Sequence, residues 1–238
     1  NGIYRISDLF GTLTLTLQHT YTGVSTPRNG RISFGTGVNK SFGVVAIDYG
    51  RVPPQTGTYE THTSDGITWS TEQLITAGAN TVSPISVQVS NNELNTAYLA
   101  AYNSSTVTLN GLPSAIFRTT DGGTGYSVFI DGIGLQETPV LHISEGDAQD
   151  NLWFSKPFDR ALYRSDTGLS VNYLDGLLAP DGEPYRGKYR SGIATMPTNS
   201  SIVLAAVRGT ANASGGFIIS SDRGDTWTEV PNPTQIAF

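Results

Sequence analysis

Four arginines and one loop carry the residue types that could do chemistry. Arg31 and Arg51 flank one stretch of chain, and Arg190 and Arg208 flank another. A guanidinium is a planar fork that grips a carboxylate through two parallel hydrogen bonds, so a cluster of them would mark a site for an acidic ligand. The loop from Asp175 to Arg190 holds Asp181, Glu183, Tyr185, Arg186, Lys188 and Tyr189. Tyrosine and arginine are favoured contact residues of binding surfaces, which makes Tyr185 and Arg186 ligand-binding candidates. Asp48 closes an apolar run and is the general-acid candidate by position. Each choice has a plainer alternative. The arginines could pair with Asp48, Glu60 or Asp225 on the surface, the loop could be a solvated connection, and Asp48 could cap a turn.

Other chemistries are poorly served. Glu145, Asp147 and Asp150 are close enough to share a calcium ion, but their spacing departs from the ordered EF-hand loop. His19, His62 and His142 are scattered, with no metal-ligand spacing. No metal and no cofactor is expected. There is no G-x-S-x-G, no P-loop and no dinucleotide fingerprint. With no cysteine there is neither a disulfide framework nor a thiolate metal site. A net charge of −6 argues against a nucleic-acid partner, which would need a basic face. No apolar run approaches the ~20 residues of a membrane span. No signal peptide opens the chain, and its only methionine is Met196. A processed chain, or one cut from something longer, is the expectation.

The elements that must position these residues are announced by repetition. Ser220-Ser221-Asp222-Arg223-Gly224-Asp225-Thr226-Trp227 reads S-x-D-x-G-x-T-W. The Asp can accept hydrogen bonds from turn amides and neighbouring hydroxyls. Gly224 permits a left-handed backbone, and Trp227 is a large apolar plate to wedge between sheets. Looser copies centre on Asp8, Asp65, Asp121 and Asp166, with Trp69 as the plate of the second. Successive Asp positions are 57, 56, 45 and 56 apart. A four-stranded propeller blade takes about 40–50 residues, so each interval corresponds to one blade with a variable loop.

Strand patterns fit between the copies. Leu13 to Leu17 alternates with period two, as a half-buried strand does. Phe42 to Ile47 is a near-continuous apolar run, as in a strand covered on both faces. Ala97 to Tyr102, Leu152 to Phe154 and Ile202 to Val207 sit at matching places. No segment has a convincing helical period. Residues 1–18 hold only two strands' worth of chain. The expected fold is all-β: a single domain over residues 1–238, a β-propeller of four-stranded antiparallel blades, four complete and one half. Arg51 precedes Asp65 by 14 residues, and Arg208 precedes Asp222 by 14, so the two units are matched.

The S-x-D-x-G-x-T-W pattern resembles the Asp-box, or BNR repeat, of sialidases, sortilin-type receptors and other secreted β-propellers. The resemblance implies that the box closes the hairpin between a blade's third and fourth strands, as a folding device and not a catalytic one. It also implies that Arg31, Arg51, Arg190 and Arg208 rise toward the face opposite the boxes, as in the arginine triad that binds the sialic-acid carboxylate. Arg31-Ile32-Ser33 resembles the Arg-Ile-Pro motif of the opening blade, without its proline. Sialidases use a tyrosine nucleophile activated by a glutamate, and Glu183 with Tyr185 or Tyr189 could mimic that pair. Three functions follow as expectations. The first is a carbohydrate-recognition or adhesion propeller, secreted or on a virion surface, whose partner is a cell-surface glycan. The second is a sialidase-like exo-glycosidase. The third is a structural phage decoration or tail component with protein partners in a larger assembly.

Overall fold

The computed structural model describes residues 2–7, 14–21, 29–48, 58–75, 82–103, 114–130, 141–143, 150–156, 161–165, 172–173, 193–207 and 216–230. The chain is all-β, with one short 3-10 turn, Gly37–Asn39, among these residues. Strands β1 (Gly2–Ser7) and β2 (Thr14–Thr20) make a two-stranded sheet. Four four-stranded sheets follow. The second contains β3 (Asn29–Phe34), β4 (Gly43–Asp48), β5 (Thr58–Thr63) and β6 (Gln73–Leu74). The third contains β7 (Val82–Val89), β8 (Ala97–Asn103), β9 (Ser114–Thr119) and β10 (Ser127–Ile130). The fourth contains β11 (Leu141–Ile143), β12 (Leu152–Lys156), β13 (Ala161–Ser165) and β14 (Asn172–Tyr173). The fifth contains β15 (Ile193–Met196), β16 (Asn199–Val207), β17 (Gly216–Ser220) and β18 (Thr228–Val230). Every neighbouring pair is antiparallel and consecutive in the chain, so each sheet is a simple meander.

The apolar runs become second strands because those strands are buried on both faces. In β4, Val45 and Ile47 pack with Ile3 of the first sheet. Their alternates Val44 and Ala46 pack with Val87, Val89, Ala97 and Leu99 of the third. In β8 the alternation repeats: Leu99 faces back, while Tyr98 and Ala100 join Ile143, Leu152 and Phe154 of the fourth sheet. Trp153 points the other way in β12 and meets Trp227 of the fifth sheet edge-on, ring centroids 6.3 Å apart. The core is therefore a series of inter-sheet layers. Each large side chain fully buried there contributes about 1.5–3 kcal/mol.

Two surfaces depart from the sequence reading. Leu15 and Leu17, expected half-buried, are exposed; among the described residues β2 pairs with β1 alone. In the fifth sheet Val203, Ala205 and Ile218 are buried, while Leu204, Phe217 and Ile219 on the opposite face are exposed.

Candidate functional site

Three of the Asp turns are described, in the second, third and fifth sheets. Asp65 lies between β5 and β6, Asp121 between β9 and β10, and Asp222 between β17 and β18. Each joins third and fourth strands, as expected. Asp8 and Asp166 lie outside the described residues. The three described turns share one wiring. A hydroxyl two residues earlier donates to the carboxylate: Thr63 at 2.9 Å, Thr119 at 2.7 Å and Ser220 at 2.7 Å. The same hydroxyl accepts a turn amide, from Gly66 at 2.9 Å, Gly123 at 3.0 Å and Gly224 at 2.7 Å. Further amides converge on the carboxylate from Ile67 and Thr68, from Gly125, and from Thr226.

These donors stabilise the ionised form. The Thr68 and Ile67 amides hold Asp65 well below the usual carboxylate range. The Thr119 hydroxyl lowers Asp121. The Thr226 hydroxyl and amide take Asp222 down to about 2. All three carboxylates are consumed by their turns, which is a folding role.

The opposite edge of the second sheet carries the sequence candidates. Asn29 pairs with Asp48, and Asp48 with Thr58, so the start of β3 and the end of β4 share that edge. Arg31 sits two residues in, opposite Ala46. It is exposed and its guanidinium donates to the Gly30 carbonyl at 3.1 Å. Arg51, Arg190, Arg208, Glu183, Tyr185, Arg186 and Tyr189 lie outside the described residues. Asp225 pairs with Arg164 at 3.5 Å.

Two buried polar clusters were not foreseen. Glu60 is fully buried, with His62 Nδ1 at 2.9 Å and the Gln73 amide at 2.7 Å. Ser70 Oγ lies 3.2 Å from the same His62 Nδ1. A nucleophilic relay needs the acid and the hydroxyl on different ring nitrogens, so this trio ties strands together and is not a catalytic triad. Asp150, one of the acidic run, is buried and accepts from Ser90 at 2.7 Å and Asn92 at 3.1 Å. Burial raises its pKa. Glu145 and Asp147 lie outside the described residues, and no group of three metal-ligating side chains occurs among those described.

A cavity of about 460 Å³ opens between the two-stranded sheet and the second sheet. Tyr4, Phe34 and Trp69 give it aromatic walls, Ile32 and Ile67 aliphatic ones, and Arg5, Gln18 and Asp65 a polar margin. Two features border it. Among the described residues the first sheet offers two strands where the others offer four, and Ile32 and Phe34 of β3 are exposed beside it. The turn at Asp65 is also one residue shorter between Asp and Trp than the turn at Asp222. Trp227 donates its indole N–H to Gly224 O at 2.9 Å, whereas the Trp69 N–H is buried with no acceptor. The short turn and the two-strand start were both visible in the sequence; that they meet at one cavity was not.

No known protein family matches the sequence, and no curated protein does. Solved structures do match in three dimensions. The α-L-arabinanase of Penicillium chrysogenum, complexed with arabinobiose, superposes with a TM-score of 0.53 at 11% identity, over 91% of this chain and 65% of that one. A GH74 enzyme of Niastella koreensis gives 0.52 at 17% identity, over 92% and 32%. The GH93 α-L-arabinofuranosidase of Fusarium graminearum, also with arabinobiose, gives 0.50 at 11%, over 84% and 65%. The chain spans less than two thirds of the length of each of these three. At such identities the likeness concerns fold alone: an all-β chain of antiparallel four-stranded sheets, similar to glycoside hydrolase β-propellers.

Proposed function

We propose that this chain is a carbohydrate-recognition propeller, built on Asp-box repeats, that binds an acidic glycan at the edge carrying Arg31. The observation that carries the reading is the position of Arg31. It is exposed near the edge shared by Asn29 and Asp48, away from the Asp turns, on a fold similar to that of carbohydrate-active enzymes. Chain order brings Arg51 and Arg208 just after second strands, and Arg190 just before a first strand. In matched units such positions belong to the same edge. Several guanidinium groups there would hold a carboxylate bidentately. The target is a cell-surface carbohydrate, and the site of action is extracellular, as for the secreted propellers whose repeat this one resembles.

The similarity to glycoside hydrolases favours a second reading, an exo-glycosidase with Asp48 as general acid and Glu183 with Tyr185 or Tyr189 as the nucleophilic pair. One experiment separates the two. The chain is applied to a glycan array and, in parallel, assayed on a fluorogenic sialoside, each with Arg31→Ala and Arg190→Ala alongside. Array binding without turnover, lost in both variants, supports recognition. Turnover lost in both variants supports the enzyme. Blank arrays with no turnover dispose of both.

A further inference from the structure

We propose that the cavity between the two-stranded sheet and the second sheet is a second binding site, and that it takes a mono- or disaccharide. Its volume of about 460 Å³ falls within the ~300–1,000 Å³ typical of small-molecule sites. The lining has the division a saccharide needs. A sugar ring presents an apolar face of C–H groups and a rim of hydroxyls. Phe34 and Trp69 stand nearly perpendicular, at 82° with centroids 5.9 Å apart, and form a corner. Tyr4 adds a third, half-exposed ring. The polar lining offers a cationic donor in Arg5 and an amide in Gln18, which together can both donate to and accept from hydroxyls.

One further detail favours occupation. Phe34 is held in place from behind. A Cβ on Gly43 would come within 2.5 Å of its ring, so the ring lies directly against the β4 backbone. An aromatic platform fixed in this way loses little freedom when a ligand stacks on it.

The site is independent of the arginine-bearing edge and stands whether or not that edge binds a glycan. Ile32 of the cavity lining is the neighbour of Arg31 in β3, but successive strand residues point to opposite faces of a sheet, so the Arg31 side chain is directed away from the cavity.

The chain has three tryptophans, which supply an internal control. The indole N–H resonances are followed by NMR while cellobiose, lactose or arabinobiose is added to millimolar concentration, with Trp69→Phe used to assign the signal. The expected result is a saturable shift of the Trp69 signal by at least one of the three sugars, with Trp153 and Trp227 unmoved. Tyr4→Ala and Gln18→Ala should each weaken binding, Tyr4→Ala by tenfold or more, while Arg31→Ala leaves it unchanged. Both substituted side chains lie at the surface, and an unchanged far-UV spectrum and Tm will certify the fold. The proposal is overturned if no sugar moves the Trp69 signal, if all three tryptophan signals move together, if Tyr4→Ala binds as tightly as the parent, or if phenol saturates the site and the sugars do not.

Discussion

His142 and Thr195 join the fourth sheet to the fifth through one ring nitrogen. Nε2 of His142 accepts the Thr195 backbone N–H at 3.1 Å and lies 2.9 Å from the Thr195 hydroxyl. An accepting Nε2 leaves the ring neutral, with its proton on Nδ1. Burial reinforces this by lowering the imidazole pKa below its ordinary 6.5. The unfolded chain therefore takes up the proton first as pH falls, and stability drops once pH passes below about 6.5. Thermal unfolding followed from about pH 8 down to about pH 5, a range that brackets the ordinary imidazole value, should show a declining Tm. In His142→Gln, which keeps an acceptor and cannot titrate, the slope over the same range should flatten. An unchanged slope would mean that another group is responsible.

A second decline is expected at lower pH. Asp65, Asp121 and Asp222 all have folded-state pKa values below 3.8. Their contribution is present above that value and is lost as pH falls through the depressed folded values. Asp222→Asn should lower Tm at neutral pH and reduce the further loss at about pH 3, just under the ordinary carboxylate range. Saccharide binding measured on the folded variant should be retained. Loss of binding in a fully folded Asp222→Asn chain would contradict the folding role assigned to the turn.

Two glycines that share a left-handed backbone should respond differently to substitution. Gly66 has φ +73 and open space around its Cβ position, whereas Gly123 has φ +95 and would place a Cβ 2.5 Å from His62 Nδ1 and 2.9 Å from Glu60 Oε1. Gly66→Ala should cost about 1 kcal/mol, from backbone strain alone. Gly123→Ala adds a clash with the hydrogen-bonded cluster around buried Glu60 and should cost about 3 kcal/mol or more. Urea denaturation of the two variants measures the difference, and equal costs would show that the cluster yields easily.

Arg223 occupies a left-handed position, φ 61, where the other two described turns have Gly66 and Gly122. Its backbone N–H donates to Ser201 O at 3.0 Å, and its carbonyl accepts from Arg164. Both bonds survive a change of side chain. Arg223→Gly should therefore raise stability by up to about 1 kcal/mol, after the greater freedom of glycine in the unfolded chain offsets part of the relief. Arg223→Val, β-branched and disfavoured at positive φ, should lower it. A drop in both variants would show that the arginine side chain contributes more than its backbone strain costs.

The sheet architecture was legible because its signals are local. An Asp, a hydroxyl two residues before it and a glycine just after it close a turn within one short segment, so Asp65, Asp121 and Asp222 could be placed without knowing their neighbours. The runs at Val44 to Ile47 and Ala97 to Ala100 could be read as doubly covered strands, because a strand buried on both faces must be apolar at every position. What the repeats could not convey is how faces meet. Leu15 and Leu17 follow the alternation of a half-buried strand and are exposed all the same, since period two says which residues share a face and not whether anything covers it.

The candidate sites divide along the same line. Arg31, Asp48 and the loop from Asp175 to Arg190 were picked for side-chain chemistry, which composition displays. The cavity at Tyr4, Phe34 and Trp69 went unseen because its walls come from β1, β3 and the turn before β6. Those segments lie far apart in the chain and meet only when the sheets stack. By itself the sequence determined strand order, turn chemistry and which strands are interior, all consequences of bonding between near neighbours. Only the tertiary structure decided which surfaces stay uncovered, because exposure depends on what the rest of the chain brings against each face.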